Sequence, residues 1–298
     1  NTFLRTGPYS DLRQHKFTVR TIKMYMDGAL GSRGAALIEP YSDEPDNRGL
    51  TLSSQKNIVD VSVEALKHGF QVATHAIGDR ANNIVLNSYE QAMKQFPAVA
   101  SGARFRIEHA QVVSTGDVPR FKKLGILPSM QPTHCTSDMS WVQARLGPQR
   151  VQGAYAWRSL LDDGNYIPSG SDFPVEAPNP LWGIYAAITR QDKSGMPAIA
   201  DDAVKNFQLS ADGIKDSSNF TDGWYPKQRM TRNEALRSFT IWGAYAEFAE
   251  LEKGSLERGK LADVVILSKD IMTVPPREIL STDVEYTIVG GKLEYRRK

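Results

Sequence analysis

His75, His109 and Asp172 each close an apolar run: FQVATHA, RFRIEHA and NYIPSGSD. Neutral imidazole and carboxylate are ordinary ligands for divalent transition metals, and a carboxylate beside a metal can accept a proton from water activated there. Each histidine is followed by an alanine, Ala76 or Ala110, which leaves room beside the ring. Either histidine alone reads more simply as a hydrogen-bonded residue of the core. Two on neighbouring strands, among five histidines in the chain, favour a metal site. Asp172 taken alone reads better as the residue that turns the chain before Pro174. Lys23 lies inside TIKMYMD. A lysine buried in such a strand must be paired, deprotonated or modified, because an isolated ammonium is costly to bury. The alternative is a side chain directed to solvent, and the pattern does not choose between them. No His-x-His pair, which would complete a site of this kind, occurs anywhere in the sequence.

The elements that must carry these residues alternate. RTIKMYMDG (20–28) reads as a strand running into a loop, and Gln55 to His68 as a helix ended by Gly69. FQVATHAIG (70–78) is a strand, Ala81 to Phe96 a helix followed by Pro97, RFRIEHA (104–110) a strand, Asp117 to Leu124 a short helix and GILPSMQP (125–132) a strand. Ala156 to Asp163 reads as helix, NYIPSGSDFP (165–174) as strand and Leu181 to Arg190 as helix. This rhythm predicts a parallel sheet with helices outside it. A doubly wound open sheet shows the same alternation, but no Gly-x-Gly-x-x-Gly loop follows any strand. Polar groups at nearly every strand C-terminus favour a (β/α)8 barrel of the TIM type. Residues 192–230, rich in Asp, Ser, Asn and Gly, read as a long excursion over the mouth. Thr231 to Glu250 returns as a helix, with Thr231 and Glu234 placed for a capping box. LADVVILSKD and VEYTIVGGKLEYRR then read as a small separate sheet. The expected division is a barrel portion over 1–250 and this small separate sheet over 251–298, the part that the resemblance given below implies belongs to a β-sandwich.

Bulk properties exclude several classes. In 298 residues, 36 Lys plus Arg against 34 Asp plus Glu leave a net charge of +2, and the basic residues are scattered except for the tail Arg296, Arg297, Lys298. That is not the concentrated basic face of a nucleic-acid binder. The single cysteine, Cys135, excludes an intrachain disulfide and a multi-cysteine zinc site. No apolar run reaches membrane-spanning length. The chain begins at Asn1 rather than Met, which fits an incomplete N-terminus. The compartment, cytoplasmic or periplasmic, stays open.

Taken together these segments resemble the amidohydrolase superfamily, and within it amidohydrolase family 3, the branch that includes N-substituted formamide deformylase-like enzymes. KMYMDGALGSRGAAL is similar to that branch's fourth barrel strand, THAIGDRAN to the fifth, RIEHAQ to the sixth, ILPSMQPTH to the seventh and GSDFPV to the eighth. GSLERGKLADVVIL is similar to the return into the superfamily's β-sandwich. The resemblance implies the fourth to eighth barrel strands plus part of the C-terminal sandwich. It implies that Lys23 carries a carbamate bridging two metals, that His75 and His109 bind the more exposed metal, and that Asp172 binds the more buried one and acts as base. One or two divalent ions are expected. Zinc is the default on N/O donors, with iron and manganese as alternatives. The His-x-His motif and the first three strands have no counterpart here, so the chain is expected to be a fragment, or one whose missing half is a separate chain. The expected partners are a small-molecule substrate and either that N-terminal half or a homo-oligomer, with no nucleic acid and no membrane.

Other polar residues surround the expected mouth. Asp27 and Arg33 follow the Lys23 strand, and Arg33 is placed either for a substrate carboxylate or for a surface ion pair. Asp79 and Arg80 read as helix-capping residues. Strand alternation points Glu108 away from His109, toward a structural role. Gln131, His134 and Asp138 follow the seventh strand, where the resemblance implies substrate contact. Trp141, Trp182 and Trp224 line a pocket or pack in the core. The function expected is metal-dependent hydrolysis of a non-peptide C–N bond, amide or N-acyl, by activated hydroxide. Two alternatives stand beside it: a non-catalytic barrel fragment or binding module, and a hydrolase of esters, lactones or phosphotriesters.

Overall fold

The computed structural model describes residues 2–10, 15–197 and 222–298. In chain order they form α1 (Thr2–Thr6), β1 (Tyr9–Ser10), β2 (Thr18–Val19), β3 (Thr21–Tyr25), α2 (Gln55–His68), β4 (Gln71–Ala76), α3 (Asp79–Met93), α4 (Pro97–Ala100), β5 (Arg106–His109), α5 (Val118–Leu124) and β6 (Leu127–Ser129). They continue through α6 (Pro132–Asp138), α7 (Val142–Arg150), α8 (Trp157–Asp162) and α9 (Pro180–Thr189), then α10 (Arg232–Ser238), α11 (Ile241–Ala246), β7 (Val264–Leu267), β8 (Val284–Val289) and β9 (Lys292–Arg296). Two compact units result, one of residues 1–130 and 142–165, the other of 131–141 and 166–298. The boundary expected at residue 250 falls inside the second unit.

The first unit is built on a parallel sheet in the order β3-β4-β5-β6. Its register gives the two faces opposite chemistry. Lys23, Ala73, Arg106 and Leu127 lie in one row, and Tyr25, His75, Glu108 and Ser129 in the next row of the same face. On the other face Val72, Thr74, Phe105 and Ile107 are buried. Tyr89 of α3 packs against that face; its hydroxyl lies 2.7 Å from Thr74 Oγ1 and 3.0 Å from the Arg106 carbonyl.

The helices are bounded by local chemistry. Ser54 Oγ accepts the Asn57 N–H at the start of α2, and Gly69 ends it at φ 75°, a left-handed conformation that glycine adopts without a Cβ penalty. Asn82 ties α3 to the strand ends. Its buried Nδ2 reaches the carbonyls of Ala76, Gly78 and Val112 at 3.0–3.1 Å. The segment after β5 is held by an isolated bridge between Val112 and Ala154 and by the Tyr155 N–H, which donates to the Gln111 carbonyl at 2.8 Å.

In the second unit Asn179 caps α9, accepting the Leu181 N–H at 3.0 Å, with Pro180 following as first helical residue. The capping box at Thr231 and Glu234 forms. β7, β8 and β9 make an antiparallel sheet, with Gly290 and Gly291 in left-handed conformations at the β8–β9 turn.

Several elements differ from expectation. Residues 165–174 form no strand: Ser169 makes a single bridge, and 172–175 is a turn. Pro168, Gly170 and Pro174 explain this, since proline removes a ladder donor and glycine weakens a strand interior. Four of the five expected parallel strands therefore form. The helix expected over Thr231 to Glu250 is two helices, broken at Thr240, which has φ −131° and ψ −98°. The C-terminal strands form one three-stranded antiparallel sheet in the order β7-β8-β9. Of the excursion expected over 192–230, residues 198–221 lie outside the described residues.

Candidate functional site

The C-terminal ends of β4 and β5 bring His75 and His109 together. Their ring centroids are 4.5 Å apart, edge to face at 72°. Alternation along β5 would have put His109 on the opposite face from Glu108, and Glu108 shares a row with His75. The backbone resolves this: His109 and Ala110 have φ of 75° and 40°, two left-handed residues in succession, and the His109 ring comes to lie against His75. Neither residue is glycine, so this is a strained conformation of the kind that gathers at functional sites.

Lys23 lies on β3 with its side chain exposed, and its Nζ is 4.8 Å from the Tyr25 ring centroid. Tyr25 in turn stands 5.4 Å from the His75 ring. The solvent-directed alternative for Lys23 is the one observed. Around them the sheet face carries a polar network. Thr21 Oγ1 and Arg106 Nη1 both donate to Gln71 Oε1, at 2.8 and 2.5 Å, and Arg106 Nε donates to Glu108 Oε1 at 2.7 Å. Burial alone would raise Glu108, but the Arg106 guanidinium, a hydrogen bond from Ser129 and the Lys23 charge bring its carboxyl below the usual range.

Asp27, expected as a substrate contact, is instead fully buried. Its Oδ2 accepts the N–H groups of Ala36 (2.9 Å) and Gly78 (2.8 Å), and its Oδ1 accepts that of Ile77 (2.9 Å). Oδ1 also lies 3.5 Å from His75 Nε2. Burial raises the carboxyl to about 7, against the pull of the three N–H bonds. Only the Asp-Gly step after an apolar strand hinted at this residue, because its three donors come from distant parts of the sequence. Arg33 takes the ion-pair alternative, bonded through Nη2 to Asp43 Oδ2 at 3.0 Å and near Glu44 at 3.2 Å. Asp79 accepts the Ile38 N–H at 2.8 Å and so fixes the same loop.

The remaining candidates belong to the second unit. Asp172 is exposed, at φ 55°, in the turn closed by the Val175 N–H to its carbonyl. Gln131 is the buried N-cap residue of α6, and its carbonyl accepts the His134 N–H at 3.1 Å. Burial holds the His134 imidazole below its ordinary value, while the carboxylates of Asp172 and Glu176 pull it the other way. Glu176 had drawn no attention in the sequence. It accepts from Ser137 Oγ and lines a cavity of about 540 Å³ with Thr136, Trp182 and Tyr185. Lys193 Nζ sits over the Trp182 ring at 3.7 Å. Trp224 is fully buried beneath the Arg190 guanidinium, and Trp141 follows α6 with its N–H on the Asp138 carbonyl. Cys135 is buried, which pushes its thiol up to about 12.

As metal donors the two imidazoles fit: neutral nitrogen ligands, adjacent, at strand ends. The set is partial. Among the described residues no three His, Cys, Asp or Glu side chains are gathered to hold an ion, whereas zinc sites take three or four protein ligands. The Asp27 oxygens are already engaged by backbone donors.

The sequence profile of the amidohydrolase family matches residues 3–295. The protein LONG AFTER FAR-RED 3 of Arabidopsis thaliana is 37% identical over 278 residues, covering 92% of this chain and 42% of that protein. The N-substituted formamide deformylase of Arthrobacter pascens is 28% identical over 280 residues, covering 93% of this chain and 45% of the relative. The chain thus spans about half the length of the curated relatives it matches. Among solved structures, an uncharacterized metal-dependent hydrolase from Pyrococcus horikoshii superposes with a TM-score of 0.72 at 28% identity, over 92% of this chain and 49% of that one.

Proposed function

Because the chain belongs to the amidohydrolase family, we propose that it serves metal-dependent hydrolysis of a non-peptide C–N bond, in an amide or N-acyl compound. The observation that carries the proposal is the His75–His109 pair, two imidazoles 4.5 Å apart at the ends of neighbouring parallel strands. The formamide deformylase among its relatives supports the bond type, and the metal-dependent hydrolase from P. horikoshii supports the cofactor.

In this reading His75 and His109 would supply nitrogen donors to a divalent ion, zinc by default. A carbamate on Lys23, formed from its neutral amine and carbon dioxide with loss of a proton, would add a carboxylate to the donor set from the same sheet face as His75. The ion supplies Lewis acidity toward the substrate carbonyl and acidifies water. Asp172 is assigned the proton transfer: it would take a proton from water as the C–O bond forms and would return it to the leaving nitrogen as the C–N bond breaks, releasing a carboxylic acid and an amine. Exposure of Asp172 suits a group that must meet both water and substrate.

The test is metal analysis of protein purified without chelator, followed by calorimetric titration with Zn²⁺ and Mn²⁺. His75→Gln and His109→Gln should each weaken uptake on the order of tenfold or more, as loss of metal-site residues does. Uptake that neither substitution changes would refute the donor assignment. Hydrolysis of esters with no turnover of N-acyl amines by the metal-loaded protein would refute the bond type.

A further inference from the structure

The cavity of about 540 Å³ in the second unit has no part in the hydrolytic reading, and its size is that of a small-molecule site. Trp182 of α9 gives it an aromatic wall, and Met139 and Ala186 add apolar lining. Glu176 brings a half-buried carboxylate, which accepts from the Ser137 hydroxyl and has no ion-pair partner among the described residues. Lys193 also lines the cavity, with its Nζ 3.7 Å from the Trp182 ring centroid. Among the described residues that ammonium makes no ion pair and no hydrogen bond, so the ring is what it rests on. A tight turn carries it there: Asp192 Oδ1 accepts the N–H groups of Ser194 and Met196 at 2.8 and 3.0 Å, and Arg277 Nη1 donates to the Ser194 carbonyl at 2.9 Å.

We propose that this cavity binds a small organic ammonium ion: the Trp182 face and the Glu176 carboxylate hold the cation, and Lys193 is a tethered occupant of the ring that the ligand displaces. The face of an indole attracts a cation through its quadrupole, and the position of the Lys193 ammonium marks where that attraction acts. The charges of the wall agree. Two carboxylates, Glu176 and Asp192, stand against the one ammonium of Lys193. Asp192 Oδ1 is taken up by its own turn, which leaves Glu176 to meet the ligand. A primary ammonium suits the site because a carboxylate and a serine hydroxyl both accept its N–H groups, while a short carbon chain meets the apolar lining. Lys193 is exposed and its stem is flexible, so it can leave the ring without disturbing the turn that carries it.

The test is titration of the full chain, treated with chelator, with n-butylammonium chloride. Sodium butyrate and 1-butanol are the comparison probes, one with the opposite charge and one with none. The readout is the ¹H–¹⁵N spectrum of the tryptophan indoles. Five tryptophans contribute, and Trp182→Phe assigns the signal of Trp182. Glu176→Gln removes the carboxylate charge at nearly constant shape. Lys193→Gln removes the tethered cation from an exposed position.

The expected result is a saturable movement of the Trp182 signal with n-butylammonium, at a midpoint in the millimolar range or below, and weaker or no movement with the other two probes. Glu176→Gln should weaken binding at least about tenfold, through loss of a charge-assisted bond. Lys193→Gln should tighten it about two- to fivefold, because an exposed cation–π contact no longer competes. No saturable movement overturns the proposal, and so does butyrate or 1-butanol binding as well as the ammonium ion. Weaker binding in Lys193→Gln overturns it too, since Lys193 would then hold the ligand rather than compete with it. Unchanged affinity in Glu176→Gln overturns the assignment of the carboxylate; if that variant does not fold, the three probes on the wild type and Lys193→Gln decide the matter. Binding is read without metal and without turnover, so failure of the hydrolytic reading and failure of this one are distinguishable.

Discussion

Gly78→Ala sets two opposed effects against each other at the junction that holds His75. Gly78 has φ −74° and ψ 156°, a conformation open to any residue. On the backbone alone, alanine would stabilise the protein by about 0.4–1 kcal/mol through a less disordered unfolded chain. The surroundings say otherwise. The new Cβ would lie 1.9 Å from the Ala36 carbonyl oxygen and must retreat by about 1.1 Å to reach the 3.0 Å that real Cβ contacts respect. That movement pulls on four bonds: Gly78 N–H and Ala36 N–H to Asp27 Oδ2, and the Arg80 and Ala81 N–H groups to the Ala36 carbonyl, at 2.8, 2.9, 3.1 and 3.3 Å. Overpacking costs about 1–3 kcal/mol, and weakening one charge-assisted bond costs about another 1.5–3 kcal/mol. The clash wins, with a net loss of roughly 1.5–5.5 kcal/mol. Urea unfolding followed by circular dichroism measures the loss, and amide exchange at Ala36 and Gly78 should quicken in parallel. A Gly78→Ala protein as stable as wild type, with unchanged exchange at both amides, refutes the close junction.

Two further outcomes follow from single residues. Tyr89→Phe removes the hydroxyl that joins α3 to Thr74 and to the Arg106 carbonyl, leaving both buried partners short of a bond, and should cost about 1–3 kcal/mol in the same unfolding assay. No measurable loss would mean that the hydroxyl does not hold helix to sheet. Cys135, buried and with its thiol pushed up to about 12, exposes only about one part in ten thousand as thiolate at pH 8. It should resist a chromogenic disulfide reagent in native buffer and react once in urea, and rapid stoichiometric labelling of native protein would contradict its placement.

Legibility in the sequence followed how local the determining physics was. Gln55–His68 was fully legible because its cap, its apolar spacing and its terminal glycine are all within the segment. Strands β3 to β6 were legible for the same reason. The 165–174 segment misled because its apolar run counted for more than the prolines within it. The break at Thr240 carries no proline or glycine, so nothing local announced it. At the site, the placing of His75 and His109 at neighbouring strand ends was readable from pattern. The turn of the His109 backbone was not, since a left-handed non-glycine residue leaves no compositional trace. Asp27 was misread as a mouth residue because backbone donors, which have no sequence signature, are what bury it.

The strand order β3-β4-β5-β6 has a kinetic corollary. From β3 onward each strand pairs with the one synthesised just before it, so no addition leaves a gap to be filled by a later segment. During translation the sheet can therefore grow in the direction of synthesis. The carboxylate of Asp27 acquires its last two donors when residues 77 and 78 emerge, before His109 exists on the ribosome. The end of β4 is fixed first, and β5 arrives to meet it.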